Sequence, residues 1–277
     1  MPVDSDMEKF STLVRAIEPM LDHVVVIGGW AHRLYGFHPH AQALKHAPLM
    51  TLDADLAIPD RLPASEEDIG KRLLDAGFRE ELFGDYTPPV AHYTLGEQQG
   101  GFYAEFLVPL TGGRYKRGGK PDATVRIAGV TAQKLHYLEL LLIAPWSVKV
   151  QPSGSEVRIA NPASYLAQKI LIHDQREAAD RAKDILYIHD TIEVFSASLL
   201  EIHTDWTEKV IPRLRTSVLR DVIKTATQLF GKVNDDVRNA AEIARSLGRA
   251  LSPERLLEVC QVGLAEVFGD DPWMART

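Results

Sequence analysis

The chain has 277 residues, 45% of them hydrophobic and 25% charged, with one cysteine and a formal net charge of −7. A single cysteine excludes an intrachain disulfide framework and points to a reducing, cytoplasmic setting. The acidic balance excludes a general nucleic-acid coat, which needs a broad positive surface.

The N-terminal MPVDSDMEKF has neither the basic nor the apolar region of a signal peptide. Residues 7–20 carry apolar positions at helical spacing, and His23 to Ile27 is a β-branched run that reads as a buried strand. Gly28-Gly29 forces a turn, and residues 30–36 leave it as a short helix. Residues 37–50 have no clean period and read as a loop with at most one helical turn. Met50 to Ile58 is the next strand, ended by Pro59. Residues 65–76 form a helix with Ser65 as N-cap and Asp68 three positions later. Ala91 to Leu95 and Phe102 to Leu110 read as a hairpin. Residues 111–121 are a glycine-rich basic loop. Within 123–150, ATVRIAGV and SVKVQ are strand fragments around a short helix near Ala132 to Leu142. The longest apolar run, Leu138 to Trp146, is broken by Glu139 and Pro145, far short of the ~20 residues of a membrane span; no membrane partner is expected.

After Gly154 the pattern turns helical. Asn161-Pro162 is a helix start, with Asn as N-cap and Pro in the first helical position, and one helix is expected to run from Asn161 to Asp190. On it Lys169, Arg176 and Lys183 are seven apart and share a face, with Leu171, Ile185 and Ile188 opposite. The domain boundary falls near residue 158. Cys260 reads as a small apolar residue of a helix.

The chemistry concentrates in Thr51-Leu52-Asp53-Ala54-Asp55-Leu56. Alternation along a strand sends Asp53 and Asp55 to one face and Leu52, Ala54 and Leu56 to the other. Two neighbouring carboxylates repel unless a cation holds both ionised, and such oxygen donors suit Mg²⁺ or Mn²⁺. Upstream, the strand ending at Gly28-Gly29 and opening a helix can present backbone N–H groups to phosphate. Downstream, Glu105 is the one acid in the apolar stretch Phe102 to Leu107, and a buried acid needs a partner or a metal.

This order resembles the nucleotidyltransferase superfamily with its polymerase-beta-like fold. The resemblance implies an α+β fold: a nucleotidyltransferase-type mixed β-sheet with flanking helices over residues 1–157, then an all-helical domain over 158–277. It implies that Asp53, Asp55 and Glu105 are the catalytic metal ligands, with Glu105 helping to activate the attacking hydroxyl. Gly28 and Gly29 match the phosphate-contacting turn, where many members have Gly-Ser, and Thr51 heads the aspartate segment as a further nucleotide-binding candidate. The helical half is similar to bacterial nucleotidyltransferase-like proteins, including abortive-infection toxin nucleotidyltransferases. That similarity assigns Lys169 to the triphosphate and Arg176 to phosphate or acceptor, with Lys183 and Asp184 further along. The implied activity is Mg-dependent transfer of a nucleoside monophosphate from an NTP to a hydroxyl of RNA, protein or a small molecule, within a toxin–antitoxin or defence setting that would add a cognate partner protein. The alternatives are a catalytically inactive binding or regulatory protein on the same scaffold, and an aminoglycoside-type small-molecule transferase.

Two other groups stand out. His32, His38, His40 and His46 raise the question of zinc, but their spacing fits no zinc pattern and no cysteine joins them. Arg114, Lys116, Arg117 and Lys120, with Tyr115, form a loop suited to gripping a nucleic-acid backbone. There is no P-loop, no Ser-His-Asp order and no dinucleotide fingerprint.

Overall fold

The computed structural model describes residues 5–62, 68–96, 101–113, 115, 119 and 121–269. The chain divides into two compact units, Met1–Phe37 with Met50–Ala160, and His38–Leu49 with Asn161–Thr277. The fold is α+β, a mixed sheet of nine strands with helices, followed by a helical C-terminal region.

In the first unit, helix α1 (Ser5–Ala16) precedes strand β1 (Val25–Ile27), helix α2 (Gly28–Tyr35) and strand β2 (Asp53–Ala57). Helix α3 (Ile69–Asp75) is capped by Asp68, whose side chain accepts from the Lys71 N–H at 2.9 Å. Ser65, the cap expected from sequence, lies outside the described residues. Strands β3 (Arg79–Phe83), β4 (Val90–Leu95) and β5 (Phe102–Pro109) follow. Then come β6 (Thr124–Ile127), β7 (Val130–Leu135), the short helix α4 (Leu138–Leu141), β8 (Trp146–Lys149) and β9 (Glu156–Ile159). The sheet order is β3-β4-β5-β2-β1-β9-β8, with β7 also on β5 and β6 on β7. Antiparallel β4 pairs the start of β5, parallel β7 pairs its end, and parallel β2 runs along its other side.

One face of this sheet is dry. Ala54, Leu56, Phe102 and Ala104 are fully buried. Phe10 of α1 stacks on Trp30 of α2 at 4.2 Å, and Trp30 meets Phe102 edge-on at 5.6 Å. Leu52 does not join them: it precedes β2 and is 40% exposed. Two further expectations change in this unit. The helix expected around Ala132 to Leu142 covers only Leu138–Leu141, because Ala132 to Leu135 pair with β5 and β6. ATVRIAGV is two strands, β6 and the start of β7, turning through Ala128 and Gly129 at φ 47° and 83°, the double positive φ of a two-residue hairpin loop.

The second unit contains α5 (Pro162–Ile172), α6 (Ala178–Val194), α7 (Leu199–Thr204), α8 (Thr216–Phe230), α9 (Asp235–Ser246) and α10 (Pro253–Phe268). The single helix expected from Asn161 to Asp190 is therefore two. A 3-10 turn at His173–Gln175 and an extended Arg176 (φ −94°, ψ 152°) separate them. Asn161 does cap α5, accepting from the Ser164 N–H at 2.8 Å, with Pro162 in the first turn. Cys260 is buried within α10. Among the described residues no helix is long and apolar enough to cross a membrane. Asn161→Ala is expected to cost about 1 kcal/mol, the usual loss when an N-cap side chain is removed, read as a shift in the urea midpoint.

Candidate functional site

The site is written in strand register. In β2, Asp53 and Asp55 alternate with buried Ala54 and Leu56; in β5, Tyr103 and Glu105 alternate with buried Phe102, Ala104 and Phe106. The parallel ladder pairs Asp53 with Tyr103 and Asp55 with Glu105. Both aspartates, the glutamate and the tyrosine thus share the face of the sheet opposite the dry core.

Each acid is held. Thr51, itself buried, donates its hydroxyl to Asp53 Oδ1. Glu105 Oε1 lies 2.8 Å from His92 Nε2, and Glu105 Oε2 accepts from Gln133 Nε2 at 3.0 Å. His92 is sandwiched, stacking on Tyr103 at 4.8 Å and meeting Phe83 at 4.4 Å. Burial pushes the Tyr103 phenol well above its ordinary value, and the charges of Asp53, Glu105 and Asp55 push it the same way. One hydroxyl therefore senses all three carboxylates. They converge on one face, but they do not offer oxygens all within 4.8 Å of one another.

Gly28 closes the other side. Its φ is +62° at the start of α2. A Cβ placed there would overlap the Asp55 carboxylate and lie 3.0 Å from its Cγ. The glycine turn and the metal-ligand candidate are thus in direct contact, and Ile27, the residue before the turn, pairs with Asp55 in the antiparallel β1–β2 ladder.

Lys169 and Arg176 belong to the helical unit. The broken helix removes the seven-residue face that the sequence suggests, yet the two cations meet on a common anion. Lys169 Nζ lies 2.5 Å from Asp184 Oδ1, and Arg176 Nε lies 3.3 Å from Asp184 Oδ2. Asp184 and Lys169 are buried, whereas the Arg176 side chain is 40% exposed. Lys169 also sits over the rings of Tyr187 and Tyr165, at 5.1 and 5.6 Å. Lys183 lies 5.9 Å from the Tyr187 ring centre. Of the basic loop, Arg114, Lys116, Arg117 and Lys120 lie outside the described residues; Tyr115 is 68% exposed.

Sequence reasoning missed His92, Gln133 and Tyr103 as site residues. His92 had a legible signal. Two positions before Thr94 in an alternating strand, it must share a face with it, and the hairpin then brings that face beside Glu105. Gln133 has none, because the stretch from Ala132 has a pattern that fits a helix, whereas it forms β7.

A nucleotidyltransferase profile matches residues 7–211, which include all nine strands as well as Lys169 and Arg176. The chain belongs to the nucleotidyltransferase family. Membership makes this family member a transferase by class and implies an NTP substrate. Curated proteins give no match to its sequence. Among solved structures it is similar to an antigenic nucleotidyltransferase-like protein from Paracoccidioides brasiliensis. The two are 16% identical, with 91% of this chain and 97% of that one covered and a TM-score of 0.41.

Proposed function

We propose that the chain moves a nucleoside monophosphate from an NTP to an acceptor hydroxyl, with Asp53, Asp55 and Glu105 as the catalytic carboxylates. The observation that carries this reading is the register of β2 on β5, which seats Glu105 beside Asp55 while Gly28 abuts the same aspartate. The all-oxygen donor set suits Mg²⁺ or Mn²⁺: Asp53 and Asp55 would hold the ion, with Glu105 as third ligand or base. Bound there, the ion would neutralise phosphate charge.

The remaining roles follow from the chain's own groups. The N–H groups of Gly28 and Gly29, at the head of α2, point to phosphate. Thr51 orients Asp53 through its hydroxyl. Glu105, oriented by His92 and Gln133, takes the acceptor's proton as the acceptor oxygen bonds to the α-phosphorus. The α–β anhydride bond breaks and pyrophosphate leaves with its electron pair. Lys169 and Arg176 stay as nucleotide-binding candidates, and Lys169→Met is expected to raise the NTP dissociation constant in a calorimetric titration.

A small-molecule acceptor gains one observation. Glu81, His92, Glu105 and Asp55 lie side by side across β3, β4, β5 and β2, with Phe83 at the edge and 45% exposed. An acidic strip with aromatic rings suits a cationic, hydroxyl-rich acceptor better than an RNA backbone. The toxin–antitoxin setting and the cytoplasmic location rest on the sequence alone, on the resemblance of the helical half and on the single cysteine.

The test is incubation with labelled NTPs and Mg²⁺, using total RNA, protein and aminoglycosides as separate acceptors. Metal-dependent label transfer is expected from the native chain and at least about 10³-fold less from Asp53→Ala/Asp55→Ala, because these groups carry the electrostatic part of the catalysis. Neither transfer nor calorimetric NTP binding by the native chain would leave a regulatory protein on this scaffold as the better reading.

A further inference from the structure

We infer that the helical unit carries a zinc site of its own, built from His46, Asp190 and Glu193. It is independent of the carboxylates of the sheet.

The four histidines of residues 32–46 do not assemble. His32 lies buried in α2, and His38 packs against His40 at 5.1 Å. His46 goes elsewhere. Its segment, residues 38–49, belongs to the helical unit and is tied to α6 by the Gln42 N–H donating to the Val194 carbonyl at 2.7 Å. This brings His46 Nε2 to 3.5 Å from Glu193 Oε2. On α6, His189 and Glu193 are one turn apart on the same face, with His189 Nδ1 3.8 Å from Glu193 Oε2 and 2.9 Å from Asp190 Oδ1. One donor atom from each of His46, Asp190 and Glu193 lies within 4.8 Å of the others.

The His46–Glu193 separation suits one edge of a metal polyhedron. An ion with bonds of about 2.0–2.1 Å in a tetrahedron holds its donors roughly 3.3–3.4 Å apart, and the 3.5 Å between His46 Nε2 and Glu193 Oε2 is close to that value. An imidazole among carboxylates favours Zn²⁺ over Mg²⁺ or Ca²⁺, which prefer oxygen donors alone.

Arg249 supplies the outer support. Its guanidinium forks onto both oxygens of the fully buried Asp190, with Nη1 2.8 Å from Oδ2. A carboxylate has about four lone-pair positions, so a guanidinium behind it leaves room for a metal in front and fixes its orientation, as outer partners of ligating groups do. Access is open. A cavity of about 470 Å³, lined by Lys45, His46, His189, Glu193 and the Leu247–Leu251 loop, reaches His46 and Glu193, with the fully buried Asp190 behind them. A metal here would clip residue 46 to α6 across more than 140 positions of chain, and clips that close long loops gain the most chain entropy.

The full-length chain, stripped with a chelator, is titrated with Zn²⁺ by calorimetry and with Co²⁺ by visible absorption. One ion per chain is expected, with a dissociation constant at or below about 1 μM for Zn²⁺ and the intense d–d bands of tetrahedral Co²⁺. His46→Ala and Glu193→Gln should each weaken binding by at least the roughly 10- to 100-fold that loss of even an outer partner costs, with unchanged far-ultraviolet circular dichroism. Both sit at the partly exposed rim, so the fold is expected to survive. Asp53→Asn/Asp55→Asn/Glu105→Gln should bind Zn²⁺ as the native chain does. Absence of stoichiometric binding, binding untouched by His46→Ala and Glu193→Gln, or binding lost only in the triple variant would each overturn the assignment. The last would place the ion on the sheet instead and leave the nucleotidyl-transfer reading standing.

Discussion

Gly28→Ala should slow nucleotidyl transfer on the order of 10²-fold. Residue 28 sits at φ +62°, where a non-glycine residue costs roughly 1–2 kcal/mol, and its new methyl group would fall on the Asp55 carboxylate. The backbone there is the start of α2, half-buried between the buried Ile27, Gly29 and Trp30, so the relief expected is movement of the Asp55 side chain. A carboxylate displaced by about 1 Å from a metal-ligand position is expected to cost on the order of 10²-fold in rate, from a substitution that removes no functional group. The check is label transfer from NTP alongside a Mn²⁺ titration. Both should fall together while the thermal midpoint drops by only a few degrees, as a 1–2 kcal/mol loss gives in a chain of this size. Full activity in Gly28→Ala would mean that Asp55 is free to move without consequence, and the carboxylate assignment would lose its chief support.

How much of this could be read from residues alone depends on whether the determinant is local. The Asp53–Asp55 alternation, the glycine bend and the Asn161-Pro162 helix start are written in neighbouring residues, and each is found where the pattern puts it. β3 and β9 were not legible. Arg79–Phe83 reads as charged and exposed because only one of its edges is paired, with β4. Glu156–Ile159 is four residues long and gains its order from pairing with β1 and β8. The short β7 lay inside an apolar stretch whose period fits helix and strand alike, and Gln133 was lost with it. The break after Ile172 was hidden for a different reason. Periodicity on either side is helical, and nothing in His173 to Glu177 is a proline or glycine. The break instead comes with tertiary partners: His173 Nε2 lies 3.1 Å from Asp236 Oδ2, and Arg181 reaches the same carboxylate from α6. His92 shows the same limit in the site itself, since its role comes from a strand neighbour thirteen positions away.

The largest loss of stability is expected from Asp184→Ala. Asp184 accepts from Lys169 and pairs with Arg176, and both it and Lys169 are removed from water. Deleting the carboxylate leaves an ammonium inside the helical unit with, among the described residues, the Tyr165 and Tyr187 ring faces for company. Breaking a buried pair from one side costs about 3–5 kcal/mol, and ring contacts worth roughly 0.5–2 kcal/mol offset only part of it. Lys169→Met should cost less, because Asp184 keeps Arg176 at 3.3 Å and the thioether fills the vacated stem. The double variant Lys169→Met/Asp184→Leu should recover most of the loss, since an apolar pair of similar volume is often as stable as the ion pair it replaces. Urea denaturation of the four proteins closes the cycle. If Asp184→Ala is no worse than Lys169→Met, the ammonium has found another anion or water, and the lysine is not committed to this pair. If instead the double variant is stable and NTP binding is lost in both it and Lys169→Met, the lysine serves the nucleotide, and the aspartate serves to keep that charge tolerable within the unit until the nucleotide is bound.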